Sequence, residues 1–483
     1  MFDLKTKWLL LKIGTLKNNF YKINLTKMIN ENSNDIVVGL DIGTTKICAI
    51  VGRRNENSKI EILGMGKSDS VGVDKNEGVV NVEQTAAAIR KAVSEASLQA
   101  DVEIKTVYVG IAGQHIKSSQ HTGIITRQNT DETIKQTDLQ RMVDDMFKLQ
   151  VDPGEQIINV LPQEFSVDNS RGIKDPRGII GTRLAANFHV ITAKVNAVKV
   201  LQRCVTDAGL TQAGITLEPL ASSASVLSEE EMEAGVALVD IGGGTTDVAI
   251  FKDGIIRHTG VFGYGGNIVT EDIKEGLGVM TKHAEVLKIT YGNAIASSVD
   301  KNMNVSIRGM KWKESTEVSL YNLALIIQAR MDDIIGSVKS QLINSGFDSK
   351  KLIAGIVITG GGSQLKNLKQ LFELQLGITT RIGMPLEYIA NSDLSVYKNP
   401  SFSTGIGLIR RGYEDAARQP NQNLKYAQIP VEPIVEKIVE PILEQVVEIP
   451  VLADATEKKG MNIWTSLLKT TRMIFEGEED KNL

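Results

Sequence analysis

The chain has 483 residues, of which 42% are hydrophobic and 23% charged, and its 54 basic against 58 acidic side chains leave a net charge of −4. That balance excludes the broadly basic surface of a general nucleic-acid binder, and no apolar run approaches the length of a membrane-spanning helix. Two cysteines, Cys48 and Cys204, exclude a disulfide framework. Length alone predicts roughly three domains. The unusual figure is 43 glycines against 11 prolines. Scattered glycine would mean a loose chain, whereas glycine gathered between strands would mean close backbone approach to a ligand.

Residues 1–30 read as a leader that forms no ordered structure. Its first 27 residues carry Lys5, Lys7, Lys12, Lys17, Lys22 and Lys27 against the single acid Asp3. The apolar stretch is too short for a signal peptide. Either the leader is an amphipathic basic arm, or it precedes a natural start at Met28. The body opens with Ile36 to Val51, two apolar β-branched runs around the tight turn Asp41-Ile42-Gly43-Thr44-Thr45-Lys46. Gly43 lets the backbone approach a ligand, Thr44 and Thr45 offer N–H and hydroxyl groups to phosphate oxygens, and Lys46 adds a cation. Asp41 can hold a hydrated Mg²⁺. Taken alone, the segment reads as an ordinary hairpin turn.

It is not alone. The segment Val236 to Phe251 repeats the pattern around Asp240-Ile241-Gly242-Gly243-Gly244-Thr245-Thr246, with Asp240 standing to Gly242 as Asp41 stands to Gly43. Two such hairpins imply a duplicated fold that holds a phosphate chain from both sides. Gly263 to Asn267, with Gly265 and Gly266, opens an amphipathic segment from Ile268 to Leu277. A third strand–glycine cluster, Ile356 to Ser363, places Gly360, Gly361, Gly362 and Ser363 ahead of Leu365 and Leu368 at helical spacing. Strand, triple glycine and helix start suit backbone contact with a nucleoside.

Beyond Arg411 the chain becomes Glu, Pro, Val and Ile, and Val431 to Glu436 is echoed by Val439 to Glu444. Prolines at that spacing block helix and inner strand, so an extended acidic linker is expected. Past it, Ile463, Leu467 and Ile474, with Trp464, Leu468 and Phe475 one position on, form one apolar stripe beside Lys469 and Arg472. Such a helix suits a membrane interface; docking on a protein surface is the alternative.

These motifs resemble those of the actin-like ATPases, the superfamily of 70-kDa heat-shock chaperones, sugar kinases and bacterial actins. The Asp41 and Asp240 hairpins resemble its two phosphate loops and Thr359 to Ser363 its adenosine loop. Glu218 to Ser223 resembles the first connecting segment, where Glu218 would orient the attacking water. Ser401 to Leu408 resembles the closing helix. Pro162 to Phe165, Gly172 to Gly178, Arg257 to Thr259, Ala354 to Gly361 and Arg381 to Pro385 narrow the resemblance to the bacterial cell-division FtsA family, from about Ile36 to Gly412. Residues 1–27 and the Glu-Pro linker fall outside the shared pattern.

The resemblance implies an α/β chain with a duplicated actin-like ATPase fold and an inserted α+β subdomain, followed by a disordered linker and a terminal amphipathic helix. The expected divisions are the leader 1–30, half 1 at 31–112 and 187–235, the insert at 113–186, and half 2 at 236–262 and 319–412. The small subdomain of half 2 falls at 263–318, the linker at 413–460, and the membrane-targeting helix and tail at 461–483. Within them a helix from Val82 to Ser97, a strand from Thr106 to Ala112, a polar helix from Asp138 to Phe147, and a strand and helix at 188–192 and 196–208 are expected. No periodicity marks 297–312.

ATP with Mg²⁺ is the implied cofactor, with Asp41 and Asp240 on the metal and slow turnover serving as a polymerisation switch. The implied role is to form a homopolymer on the cytoplasmic face of the membrane, as a peripheral protein at the division septum, and to anchor FtsZ filaments there. Other division proteins would bind through the insert. The rivals are a PilM-like pilus-assembly scaffold, a sugar kinase and a chaperone ATPase. A chaperone lacks room for a peptide-binding domain here, and no sugar-binding constellation is visible. The five histidines are scattered, which argues against a metal cluster or a Ser/His triad.

Overall fold

The computed structural model describes residues 36–418 apart from 58, 75–77, 129–130, 308–315, 386–387 and 391–396. The leader, residues 419–460 of the expected linker and the terminal helix lie outside the described residues, and so do Ile463, Trp464, Leu467, Leu468, Ile474 and Phe475; residues 413–418, expected in the linker, instead continue the helix Ser403–Arg418.

Two five-stranded sheets carry the body, and they are copies of one plan. In the first, Ile36–Ile42 is central; Lys46–Arg54 and then Ile60–Asp69 lie antiparallel on one side, with Thr106–Ile111 and then Thr211–Leu217 parallel on the other. In the second, Val236–Ile241 is central; Thr246–Lys252 and Ile255–Phe262 are antiparallel on one side, with Gly355–Thr359 and Thr380–Ile382 parallel on the other. Strand order and sense match position for position, which is the duplication expected from the paired hairpins. The central strands are near-continuous apolar runs because both faces are covered. In the first half, Leu40, Ile47, Val51, Val107 and Val109 pack under the helix Val82–Ala100. In the second, Val239, Ile250, Ile356 and Ile358 pack against Leu320–Asn344.

The helix Val82–Ala100 starts where Asn81 accepts a hydrogen bond from the Gln84 amide, and ends at Asp101 in the left-handed region (φ 52°). It runs three residues past the expected Ser97. The polar helix is Gln136–Met146, and the next is Val195–Asp207. The aperiodic stretch 297–312 contains one strand of a two-stranded ladder, Asn304–Ile307, whose partner Thr316–Ser319 lies just beyond it. Four residues per strand are too few for alternation to register in sequence.

Between the strands of the first sheet, the insert forms its own antiparallel sheet in the order Ile116–Thr126, Arg183–Lys194, Glu155–Val167 and Ser170–Ile173. The helix Gln136–Met146 buries Met142 and Met146 against Leu184 and Phe188. Strand Arg183–Lys194 is continuous across position 186, where the insert was expected to end. The insert also meets the outer strand of the second sheet. Its buried His189 pairs with Thr259 Oγ1 at 3.1 Å, and Gln163 donates to the Ile256 carbonyl at 2.6 Å.

Each half ends in a helix that crosses back toward the other half. Glu218–Val226 follows the last strand of the first sheet, and Ser403–Arg418 closes the second half. The two helices pack so closely that an ideal Cβ on Gly407 would stand 1.7 Å from the Ala221 carbonyl oxygen. Gly407→Ala is therefore expected to lower unfolding stability by about 1–3 kcal/mol, the usual cost of overpacking. A urea midpoint unchanged from wild type would show that the helices separate freely.

Candidate functional site

The two hairpins adopt the same turn. Gly43 donates to the Lys46 carbonyl at 3.1 Å, and Gly242 to the Thr245 carbonyl at 2.9 Å. Asp41 and Asp240, each two residues before the glycine that opens its turn, are both buried. The loops meet face to face. The Gly244 amide donates to Thr44 Oγ1 at 2.9 Å, and Thr45 Oγ1 lies 3.5 Å from Asn267 Oδ1. Gly266 and Asn267 donate their amides to the carbonyls of Gly242 and Gly243 at 2.9 and 2.8 Å, so helix Gly266–Leu277 begins against the second loop. Gly265 packs on the same carbonyls: a Cβ there would come within 2.7 Å of both.

The third loop closes over Asp240. Gly360 has φ +81°, a conformation that glycine adopts without steric cost, and a Cβ there would stand 2.2 Å from Asp240 Oδ1. Gly361, Gly362 and Ser363 form a 3₁₀ turn, Gly361–Gln364, rather than the start of a helix; the helix begins only at Leu368. Two polar candidates spend their hydroxyls on the fold: Thr246 donates to the Tyr264 carbonyl at 2.7 Å and Ser363 to the Gly360 carbonyl at 2.8 Å. Lys46 reaches neither loop's threonines; its ammonium donates to the Ser401 carbonyl at 2.6 Å and lies 4.3 Å over the Phe402 ring.

Four carboxylates converge here with one lysine to offset them. Burial, then the Asp240 charge, pushes Asp41 up to about 6 against the pull of Lys46. Burial also raises Asp240, opposed by hydrogen bonds from Ser222 and Thr404. Glu218, at the start of its helix, is driven well above the carboxylate range by burial and by the charges of Asp41, Asp247 and Asp240. Lys46 is lowered by burial in spite of Asp41. Carboxylates gathered this way leave each other's charge uncompensated, and a cation resolves the conflict. Among the described residues no group of three or more His, Cys, Asp or Glu side chains forms a direct metal cage. A cavity of about 70 Å³ opens beside Glu218, bounded by Gly43, Thr44, Thr245, Gly110 and His115.

Sequence reasoning missed Asp247. It pairs across the hairpin with Asp240, at the place Cys48 takes opposite Asp41. It is 4% exposed, Thr245 Oγ1 donates to its Oδ2 at 3.2 Å, and its buried Oδ1 has no hydrogen-bond partner. Burial and the Asp240 charge drive it well above the carboxylate range. The signal was a lone acid at the head of the apolar run Val248 to Phe251. Ser222 and Thr404, the hydroxyls on Asp240, were missed too, because they lie in segments far from it in the chain.

The family description "Cell division protein FtsA" matches residues 237–407, and "SHS2 domain inserted in FTSA" matches residues 113–192. The cell division protein FtsA of Pseudomonas aeruginosa is 38% identical over 387 residues, 80% of this chain and 91% of that protein. The Escherichia coli protein of the same name is 33% identical, over 80% of this chain and 92% of its own. A solved structure of a PilM–PilN type IV pilus biogenesis complex shares the fold, with a TM-score of 0.58 at 15% identity, covering 78% of this chain and 98% of that one. The duplicated sheets, the inserted subdomain and these relatives together place the chain in the FtsA family of cell division proteins, on an actin-like α/β fold.

Proposed function

We propose that the chain binds ATP with Mg²⁺ between the Asp41 and Asp240 hairpins and uses it to control assembly of a membrane-bound scaffold for FtsZ. The observation that carries the nucleotide reading is the pair of facing Asp-x-Gly turns around a cluster of buried carboxylates. In this reading the glycine backbone at Gly43 and Gly242 to Gly244, whose Gly43 and Gly242 amides close their own turns, lets the phosphates approach Thr44, Thr45 and Thr245. Gly360 to Gly362 and the Gly265-Gly266 turn border the nucleoside. Asp41 and Asp240 would hold the metal through water, and the ion would supply charge neutralisation for the phosphates. Lys46 leaves the Ser401 carbonyl to pair with a phosphate oxygen. Glu218, which borders the cavity, would orient the attacking water.

The scaffold reading rests on family membership and on the apolar stripe 463–475. Copies of this chain would polymerise, and many weak terminal helices would then hold the polymer on the cytoplasmic membrane by avidity. FtsZ would be recruited at the division site, with other division proteins on the insert. The domain divisions given above are part of this proposal. Co-sedimentation with FtsZ on anionic vesicles in the presence of ATP tests it. The full chain is expected to bring FtsZ down with the lipid. A chain ending at residue 460 should lose vesicle binding about tenfold or more, since one inserted amphipathic helix accounts for the affinity, while still binding ATP. Equal vesicle binding by the two chains would end the anchor assignment.

A further inference from the structure

All three loops of the cleft converge on four consecutive residues to which the proposed function gives no role. Ser401 offers its carbonyl to Lys46 of the first hairpin. Ser403 Oγ lies 2.7 Å from Thr359 Oγ1 of the third loop, and its carbonyl accepts from Ser225 Oγ at 2.7 Å. Thr404 Oγ1 lies 3.0 Å from Ser222 Oγ and 3.4 Å from Asp240 Oδ2 of the second hairpin. Ser222 Oγ itself donates to Asp240 Oδ2 at 2.5 Å. Ser222 and Ser403 are fully buried and Thr404 is 9% exposed.

We propose that Thr404 and Ser222 are positioning residues for the Asp240 carboxylate, and that through them the closing helix Ser403–Arg418 takes part in recognising the metal–nucleotide complex. This rests on the nucleotide reading above. Ser222 has one hydroxyl proton and gives it to Asp240, so Thr404 donates in turn to Ser222 or to the same carboxylate. The chain of donors strengthens each member and ends on the Asp240 carboxyl. With Oδ2 held by hydroxyls and Oδ1 packed on the Gly360 backbone, the carboxylate is fixed in rotation. The two hydroxyls come one from each crossing helix, and those helices touch at Gly407 and Ala221. Any change in the charge Asp240 faces is therefore felt at the first turn of the helix that leads to residue 418 and the chain beyond it. A packing role alone would be met by alanine and valine at these buried places, with no donor directed at an acid.

The test compares full-length wild type, Thr404→Val, Ser222→Ala and Thr404→Ser, titrated with a fluorescent ATP analogue in excess Mg²⁺ and in EDTA. Wild type should bind more tightly with Mg²⁺, and Mg²⁺-nucleotide should slow hydrogen exchange of amides in 403–413. In the Val and Ala variants the Mg²⁺-dependent gain should fall about tenfold, the loss expected for one charge-assisted hydrogen bond. Their affinity in EDTA should stay within about twofold of wild type, and the exchange effect should disappear. Thr404→Ser, which keeps the hydroxyl, should restore both. Variants with the wild-type Mg²⁺ gain would overturn the proposal, as would an equal loss in EDTA, which would mean packing alone. Failure of wild type to bind the analogue at all would instead overturn the nucleotide reading.

Discussion

Gly243→Val should lower nucleotide affinity about 100-fold. Gly243 has no spare volume around it: a Cβ there would stand 1.8 Å from Thr45 Oγ1, 3.1 Å from Thr45 Cβ and 3.2 Å from Asn267 Oδ1. Rotating the threonine hydroxyl relieves the first contact and leaves the other two. Two further methyl groups then occupy the space between the hairpins where phosphate oxygens are expected. Overpacking of this kind costs about 1–3 kcal/mol, and each 1.4 kcal/mol is tenfold in affinity. The variant also pushes the second loop off the Gly266 and Asn267 amides, so the helix start that borders the site is lost with it. Fluorescence titration with labelled ATP measures the effect. Gly336→Ala is the control, since a Cβ there meets nothing within 4 Å, and it should bind as wild type does. Wild-type affinity in the folded Gly243→Val protein would remove this loop from the site.

Asp247→Asn should make the nucleotide-free protein more stable at neutral pH while reducing ATP turnover. Asp247 is buried beside Asp240 and Asp41, with one carboxylate oxygen unpartnered. A neutral amide of the same shape removes that conflict, for a gain of about 1–3 kcal/mol and a rise of about 2 °C or more in melting temperature. The sign of the pH dependence follows from the direction of the shifts. Asp41 titrates at about 6 in the folded chain against 3.8 ordinarily, so between those values the folded state holds the proton that the unfolded state has lost. Stability from this group is therefore highest below 3.8 and falls as pH rises through 6. Asp240, Asp247 and Glu218 shift in the same direction. The Asn variant should gain more at pH 7.5 than at pH 5, and Mg²⁺-ATP should narrow the gap by supplying the missing positive charge. Turnover should drop as well, because the charge that helps to raise Glu218 is lost with the acid. A variant less stable than wild type at pH 7.5 would mean that the carboxylates are compensated by contacts of their own.

The same cluster explains why part of the site escaped sequence reasoning. Asp41 and Asp240 announce themselves by the glycines that follow. Asp247 is one acid at the edge of an apolar strand, and only pairing across the hairpin brings it opposite Asp240. Thr246 and Ser363 carry the right chemistry in the right motif, yet the fold turns both hydroxyls to backbone carbonyls. Residue type and spacing cannot separate a hydroxyl aimed at a ligand from one that ties a turn, because both need the same donor at the same place. The Gly360 loop shows a related limit: a strand followed by glycines reads as a helix start, and the positive φ of Gly360 leads into a 3₁₀ turn instead.

The duplication and the two Asp-x-Gly turns were determined by the sequence alone, because backbone conformation at glycine and the burial of β-branched runs are local properties that composition and spacing report; the insertion and the family were legible only through the resemblance of motifs such as Pro162 to Phe165 and Arg381 to Pro385. Tertiary structure alone decided which acids share one space, that Lys46 rests on the Ser401 carbonyl, and that Ser222 and Thr404, 182 residues apart in the chain, meet on Asp240. Those are outcomes of two helices crossing within contact distance. Their energies depend on burial and on opposing charges, and both come into being only when the halves close on each other.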